Sequence, residues 1–264
     1  MTDATPSSTS AGPDHPARAP RRRREKTFLW YCIAAVCLPI LTVMAKFVTI
    51  DGHKLPRQGA FILAPNHYSE IDPVIMGRFV WGLGRVPRFL AKASVFSNPV
   101  LGAILRASGQ IPVEREGGGR SAAPLKAAQQ LVDNELAVII YPEGTLTRDP
   151  DLWPMRGKSG AVRMALQAGV PIIPAAHWGT QQVMARYSKK ISFFPRKRIV
   201  CKIGDPVDLR DLMGRPIDQA VLAEGTDRVM NAIAALLGDL RGERPPAERW
   251  DPVKNNQKET GRFE

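Results

Sequence analysis

The sequence has few cysteines and no pattern of metal ligands. Only Cys32, Cys37 and Cys201 occur, and two of them lie in one apolar segment, so they make no disulfide framework. Cys32 and Cys37, with no histidine or further cysteine nearby, do not match a zinc site. We therefore expect a reducing compartment and no metal ion.

The chain also lacks a recognisable nucleic-acid-binding motif, although it is strongly basic. The formal net charge is +12 at pH 7 and the pI is about 10.0. Nine of these excess positive charges lie after residue 26, so the folded part is itself basic. A basic protein without such a motif indicates an anionic lipid surface as the partner, and no nucleic acid.

Only one long apolar segment is present, over residues 27–45, where nineteen residues pass without a charge after four arginines at 21–24. Three interpretations compete. The segment could be a cleaved signal peptide processed near Ala45, or a single span whose arginines keep the N-terminus in the cytoplasm. It could also be a helix broken at Pro39 that enters one leaflet or lies in the membrane interface. We favour this third interpretation, for a reason that depends on the substrates.

Short apolar runs alternate with longer helical patterns after residue 48, which predicts an α/β fold with a mixed, largely parallel sheet flanked by helices. The predicted strands are Phe61–Ala64, Arg88–Ala91, Gln110–Val113, Ala137–Tyr141, Ile172–Ala175, Ile191–Phe194 and Ile199–Ile203. The predicted helices cover 73–82, 94–107, 121–134, 158–168 and 218–240. The chain then divides into a disordered basic tail (1–26), a membrane-associated helical segment (27–47), one main domain (48–240) and a flexible C-terminal tail (241–264).

The stretch from Asn66 to Pro73 places a histidine, His67, at a predicted strand-to-helix turn, with Asp72 five residues further on. Turns at strand ends open into clefts, so this is a suitable place for a base with an orienting carboxylate. Asp72 followed by Pro73 is also typical of a helix N-cap with proline at the first helical position. Taken alone, this stretch favours the helix cap with an ordinary turn histidine, and the other stretches must decide.

Three later stretches have the composition of a binding site. Arg115 follows a strand end, where it could bind a phosphate or lie solvated beside its acidic neighbours. Glu143, Gly144 and Thr145 follow an apolar strand, and this turn could point N–H groups at an anion or be a plain turn. The segment 170–174 contains no polar side chain and can only form an apolar wall.

In this order and separation, the four stretches resemble the glycerolipid acyltransferase family, specifically the 1-acyl-glycerol-3-phosphate (lysophosphatidate) acyltransferases, over about residues 48–210. Tyr141 stands where the family has phenylalanine. The family's arginine after Glu-Gly-Thr is replaced by Leu146, although Arg148 follows two places later. The residues that match the four family blocks are Asn66, His67 and Asp72; Lys92, Pro99, Gly102, Gly109, Ile111, Pro112, Val113 and Arg115; Pro142, Glu143, Gly144 and Thr145; and Val170, Pro171, Ile172, Ile173 and Pro174.

The resemblance implies acyl transfer to the sn-2 hydroxyl of a lysophosphatidate acceptor, giving phosphatidate. His67 would be the general base and Asp72 would hold its ring, with no covalent enzyme intermediate. Acyl-CoA or acyl-carrier protein would be the acyl donor, and no cofactor or metal would be needed. The residues implied for binding the acceptor and its phosphate are Lys92, Arg115, Glu143, Gly144, Thr145 and Arg148.

The resemblance also ranks the interpretations of the apolar segment. Acyl donors are cytoplasmic, so an interfacial helix on the cytoplasmic face of the cell membrane keeps His67 and the donor on one side. Two alternative functions remain. Leu146 leaves open another lysolipid or glycolipid acceptor, and a non-catalytic lipid-binding protein could keep the same fold.

Overall fold

Seven strands form one mixed sheet in the computed structural model, which describes residues 25–113 and 123–258. The strands are β1 (Ala45–Ile50), β2 (Phe61–Pro65), β3 (Arg88–Lys92), β4 (Ile111–Val113), β5 (Ala137–Ile139), β6 (Ile172–Trp178) and β7 (Lys197–Ile203). Their order in the sheet is β1-β7-β6-β2-β5-β3-β4. Every neighbouring pair is parallel except β6 and β7. The predicted α/β fold with a largely parallel sheet is confirmed.

Helices cover both faces of this sheet. They are α1 (Phe28–Met44), α2 (Asp72–Gly82), α3 (Pro99–Ala107), α4 (Ala123–Asp133), α5 (Gly160–Ala168), α6 (Thr180–Val183) and α7 (Gln219–Arg241). Side chains of β2 alternate between two apolar cores: Phe61 and Leu63 pack with α1 and α2, whereas Ile62 and Ala64 pack with α4, α5 and α7. A strand covered on both faces reads as a continuous apolar run, and this is why β2 is recognisable in the sequence.

The strand directions bring one set of loops together. Because β2, β3, β4, β5 and β6 run in the same direction, their carboxyl ends meet at one end of the sheet, here called the C-terminal end of the sheet. Strand β7 runs the opposite way and β1 is parallel to it, so both begin at this same end. The last turn of α1 therefore also lies there, since β1 starts at Ala45 directly after it.

Two strand predictions were wrong. The run 191–194 forms no strand. Ile191, Phe193 and Phe194 are exposed, and without a neighbouring strand the backbone has no ladder to join. Conversely, β1 was missed, because residues 45–47 were assigned to the membrane-associated segment. Strand β1 is defined by its pairing with β7, and the ring of Phe47 packs edge-on against Phe79 with centroids 5.4 Å apart.

The N-terminal helix differs in one respect from the prediction. Helix α1 continues through Pro39 without a break. Its outward side is apolar; the exposed large side chains are Phe28, Tyr31, Val36, Ile40 and Val43. Within the described ranges, no helix has both the length and the hydropathy needed to cross a membrane.

At the other terminus, the sequence predicts a flexible tail over residues 241–264, of which 259–264 lie outside the described residues. Helix α7 extends to Arg241, and the segment that follows packs on the domain. The N–H of Arg156 donates to the carbonyl of Trp250 at 2.9 Å, and Arg249 donates to Asp227 at 2.9 Å. These are polar contacts with a surface formed elsewhere, so the segment's own composition does not reveal them.

Candidate active site

The turn between β2 and α2 joins His67 to Asp72. The ring nitrogen Nδ1 of His67 lies 3.0 Å from Oδ2 of Asp72, which is fully buried. The same oxygen accepts the backbone N–H groups of Tyr68 and Ser69, each at 2.8 Å. Asp72 is already the first residue of α2 and Ile71 occupies the N-cap position, so the alternative role as N-cap is not observed. The carboxylate folds back onto the turn that carries His67.

These contacts select one tautomer of His67. Burial opposes ionisation of Asp72, but the nearby His177 and His67 and the amide of Ser69 outweigh it and lower the pKa of Asp72 below its usual value. An ionised Asp72 only accepts hydrogen bonds, so Nδ1 of His67 carries the proton and Nε2 carries a lone pair. Nε2 makes no hydrogen bond to any part of the chain that the structure describes, and the side chain is 15% exposed. This is the arrangement that a general base requires.

The loop after β5 holds the backbone of His67 in place. The N–H of His67 donates to Oε1 of Glu143 at 3.0 Å, and the N–H of Met155 donates to Oε2 at 3.0 Å. The N–H of Thr147 donates to the carbonyl of His67 at 2.7 Å. The ring of Tyr141 stacks on the imidazole, with centroids 4.0 Å apart. Glu143 is fully buried, so in this geometry it holds the backbone of His67.

Gly144 provides the tight turn that the Pro-Glu-Gly sequence predicts. Its φ is +71°, a conformation that favours glycine, and its N–H donates to the carbonyl of Tyr141 at 3.0 Å. A Cβ at this position would lie 3.0 Å from Cδ of Lys158. The turn brings Glu143 beneath His67 because β5 is the direct neighbour of β2.

The buried carboxyl of Glu143 makes stability depend on pH. Burial raises its pKa from 4.5 to about 8. Between these two values the unfolded chain loses this proton and the folded chain keeps it, so stability decreases as the pH rises from 4.5 to about 8. In Glu143→Gln we expect that pH-dependent loss to disappear. One N–H also loses its acceptor, at a cost of about 1–3 kcal/mol at low pH. Thermal unfolding across this pH range measures both effects.

The matched control for this prediction is Glu224→Gln, a solvent-exposed position on α7. It should keep the wild-type dependence of melting temperature on pH. A Glu143→Gln chain whose melting temperature falls with pH as steeply as the wild type would contradict the prediction.

A second histidine, His177, was missed in the sequence. Strand β6 extends beyond the predicted Ile172–Ala175, and His177 lies at its C-terminal end, fully buried. Its Nε2 is 3.1 Å from the carbonyl of Asn66 and 3.7 Å from Oδ1 of Asp72, and its Nδ1 is 3.2 Å from the hydroxyl of Thr180. Burial lowers the pKa of His177, although the charge of Asp72 opposes this shift. Because a carbonyl can only accept a hydrogen bond, Nε2 donates to Asn66. The sequence signal that could have identified His177 is a polar residue at the carboxyl end of a strand in an α/β sheet, where ligands bind.

Asn66 completes the link between β6 and the turn between β2 and α2 (residues 66–71), here called the catalytic turn because it carries the predicted base. Its side-chain amide donates to the carbonyl of His177 at 3.1 Å and its Oδ1 accepts the N–H of His177 at 2.9 Å. The hydroxyl of Tyr68 donates to the same carbonyl at 3.1 Å. The turn is therefore held from three strands, β2, β5 and β6.

The residues assigned to the acceptor have different positions. Lys92 is the last residue of β3 and so lies at the C-terminal end of the sheet, whereas Arg115 is outside the described residues. Thr145 is half-buried. Arg148 is only 2% exposed, and its charge opposes the rise in pKa that burial imposes on Tyr187. Their roles in binding the acceptor stay predictions.

An apolar groove of about 240 Å³ lies between α1 and α2, beside the catalytic turn. Pro73, the residue after Asp72, lines its wall. The remaining lining residues are Trp30, Ile33, Ala34, Cys37, Leu38, Leu41, Val74, Gly77, Arg78, Trp81, Pro87 and Phe89. An almost wholly apolar groove next to a base fits a hydrocarbon chain.

Comparison with known proteins gives relatives of one kind. The 1-acyl-sn-glycerol-3-phosphate acyltransferase of Bacillus subtilis is 27% identical over 187 residues, which cover 70% of this chain and 85% of the relative. The chloroplastic 1-acyl-sn-glycerol-3-phosphate acyltransferase BAT2 of Brassica napus is 31% identical over 130 residues, which cover 49% of this chain but only 36% of the relative.

A solved structure shares the fold. The crystal structure of PlsC, the 1-acyl-sn-glycerophosphate (LPA) acyltransferase of Thermotoga maritima, matches with a TM-score of 0.56. The match covers 82% of this chain and 81% of that chain, at 22% identity. A family model described as Acyltransferase matches residues 47–178, from within β1 to the end of β6. Since that match takes in half of the chain, including the whole of the catalytic turn, the chain belongs to the acyltransferase family.

Proposed function

We propose that the protein transfers an acyl chain from an acyl thioester, acyl-CoA or acyl-carrier protein, to the sn-2 hydroxyl of lysophosphatidate, giving phosphatidate for phospholipid synthesis. The observation that carries the proposal is the 3.0 Å contact between His67 and the buried Asp72, which leaves Nε2 of the ring available. The names of the relatives support the acceptor. The basic surface supports work at the cytoplasmic face of an anionic membrane.

The reaction follows from the tautomer. Nε2 of His67 accepts the proton of the acceptor hydroxyl as that oxygen attacks the thioester carbonyl. Asp72 stabilises the imidazolium that forms, as the carboxylate of a Ser-His-Asp triad does, with the substrate hydroxyl in place of serine. The tetrahedral intermediate then expels the thiolate, which takes the proton back from Nε2. The ester and a free thiol leave, and the enzyme returns to its starting state.

The groove between α1 and α2 is the proposed site for the acyl chain. Pro73, the residue after Asp72, lines it, so a chain bound with its thioester end at Pro73 would present that end to His67. Gly77 forms part of its wall, and a Cβ at Gly77 would lie in ordinary contact with Pro87, 3.6 Å away. A larger side chain is therefore accommodated at Gly77 and would occupy groove space.

Gly77→Met should shift the preference towards shorter acyl donors. Each methylene that no longer fits loses about 0.8 kcal/mol of burial, so kcat/KM for the longest donors should fall at least tenfold. A series of acyl-CoA substrates of increasing length measures this. Gly160→Met is the matched control, because a Cβ there meets nothing within 4 Å and Gly160 lies outside the groove. Equal length profiles for both variants would contradict the assignment of the groove.

The acceptor has a second candidate. Leu146, which replaces the family's arginine, is only 7% exposed, so this position offers an apolar contact where a charge would be expected. Another lysolipid or a glycolipid acceptor is therefore the alternative. Arg115→Glu separates the two: if the acceptor carries a phosphate that Arg115 binds, its KM should rise at least tenfold, since an attractive contact becomes repulsive. An unchanged acceptor KM would favour an acceptor that carries no phosphate at Arg115.

Release of free thiol from acyl-CoA in the presence of a panel of lysolipids tests the function itself. We expect turnover with lysophosphatidate and slower turnover with lysophosphatidylcholine or lysoglycolipids. Turnover restricted to a glycolipid would show that the acceptor is a glycolipid, and the proposed acyl-transfer reaction would still hold. Absence of thiol release with every acceptor and with both donor types would support the non-catalytic alternative.

A further inference from the structure

Residues 184–196, which connect α6 to β7, form a loop whose tip is both basic and apolar. Ile191, Phe193 and Phe194 are 45%, 42% and 75% exposed, and the neighbouring Lys189 and Lys190 are exposed as well. From residue 184 to residue 198 the sequence has six lysines and arginines and no acidic residue. Adjacent exposed aromatic side chains indicate a surface that is covered in the working protein.

The base of this loop is fixed to the catalytic turn. The hydroxyl of Ser69 donates to the carbonyl of Met184 at 2.6 Å, and the N–H of Tyr187 donates to the carboxylate of Glu70 at 3.2 Å. Arg186 donates to the carbonyl of Thr147 at 2.6 Å, which joins the loop to the segment after β5. The base of the loop is thus attached to both segments that surround His67.

The topology sets the direction in which the tip faces. Strand β6 ends and β7 begins at the C-terminal end of the sheet, so the loop lies at the same end as His67. Arg196 donates to the carbonyl of Ala45 at 3.2 Å, which places the loop next to the last turn of α1. Val43 in that turn is 56% exposed. The loop tip and the apolar side of α1 therefore flank the site together.

We propose that the tip of the 184–196 loop docks the C-terminal end of the sheet on an anionic lipid bilayer. Phe193 and Phe194 enter the interface, and Lys189 and Lys190 bind lipid phosphates. Charge decides between possible occupants: a second copy of this chain would bring an equally positive loop and repel the first, whereas anionic headgroups complement it. The inference rests on the proposed function in that the acceptor is a membrane lipid.

Sedimentation with vesicles of phosphatidylcholine, alone or mixed with phosphatidylglycerol, tests the proposal. In Lys189→Gln/Lys190→Gln, affinity for the anionic vesicles should fall about fivefold per lysine, and affinity for neutral vesicles should not change. In Phe193→Ser/Phe194→Ser, affinity for both kinds of vesicle should fall about tenfold or more, because apolar burial does not depend on the headgroup. High salt should weaken the binding of the wild type and of the serine variant to anionic vesicles. It should weaken the binding of the glutamine variant less, because that variant has lost two of the charges.

Matched controls lie at the opposite end of the sheet. Arg57→Gln/Arg215→Gln removes two exposed charges, and Ile50→Ser/Met213→Ser removes two exposed apolar side chains. Both controls should bind vesicles as the wild type does. Loop variants that bind as tightly as the controls would overturn the proposal. So would a wild type that binds neutral and anionic vesicles equally, or a serine variant that alters only the oligomeric state seen by light scattering.

Vesicle binding does not require turnover, so this test is independent of the proposed reaction. Thiol release by the wild type with short-chain, monomeric substrates reports on the chemistry without a membrane. If the protein is active on those substrates but its loop variants bind vesicles normally, the proposed function is supported and the docking surface is refuted. A protein that is inactive with all substrates but docks through the loop would refute the proposed function and support the docking surface.

Discussion

In His67→Ala, the rate of acyl transfer should fall by about 10³-fold or more, with the chain still folded. General base catalysis by a positioned side chain contributes about 10²–10⁴-fold. The other histidine nearby, His177, is fully buried and both of its ring nitrogens lie within hydrogen-bonding distance of chain atoms. Thiol release at saturating donor and acceptor measures the loss.

The His67→Ala chain should still fold, although Asp72 loses one of its three hydrogen bonds and Tyr141 loses its stacking partner. His67 is linked to Glu143 and Thr147 through its backbone, and these two contacts survive truncation of the ring. His53→Ala is the matched control, because His53 is exposed on the short helical turn after β1, at the opposite end of the sheet. It should retain full activity. A His67→Ala chain with near-wild-type turnover and a normal melting temperature would remove His67 from the mechanism.

Asp72→Asn should also abolish most of the activity, by about 10⁴-fold if the carboxylate acts as the acid of a Ser-His-Asp triad does. The amide oxygen can still accept the N–H groups of Tyr68 and Ser69, so the turn keeps its shape. An amide cannot stabilise the imidazolium, and it does not hold Nδ1 as a donor in the way that a carboxylate does. The loss should appear in kcat far more than in KM.

Asp72→Ala should differ from Asp72→Asn in stability. Alanine leaves the two buried N–H groups without an acceptor, at a cost of about 1–3 kcal/mol each, whereas asparagine keeps them satisfied. Asp205→Asn, in an exposed ion pair with Lys54, is the control for removal of a surface carboxylate and should affect neither activity nor folding. If Asp72→Asn lowered kcat less than tenfold, Asp72 would serve only to shape the turn.

The contact between His67 and Asp72 could be predicted because its information is local. His67 and Asp72 are five residues apart, on a turn bounded by a recognisable strand and a proline-initiated helix. Their separation of 3.0 Å is set within this turn by two backbone N–H groups that bind the same carboxylate. The resemblance of the surrounding blocks then distinguished this pair from a chance spacing.

The supporting groups could not be predicted, because they come from distant parts of the chain. Glu143 reaches the backbone of His67 only because β5 lies beside β2, and His177 approaches Asp72 only because β6 lies on the other side. No periodicity or spacing encodes this strand order. The same holds for β1. Its apolar residues resemble the end of a membrane segment in the sequence, and only the pairing with β7 identifies them as a strand.

By itself, the sequence determined the α/β class, the contact between His67 and Asp72, the tight turn at Gly144 and the excess of positive charge, since each depends on residue type and near-neighbour spacing. Tertiary structure alone decided which groups are buried together. It placed Glu143 under the base with a raised pKa and His177 against Asp72, and it left Phe193 exposed beside the site. The physical reason is that burial and the pKa shifts it causes depend on which strands are neighbours, and the order of strands is a property of the whole fold.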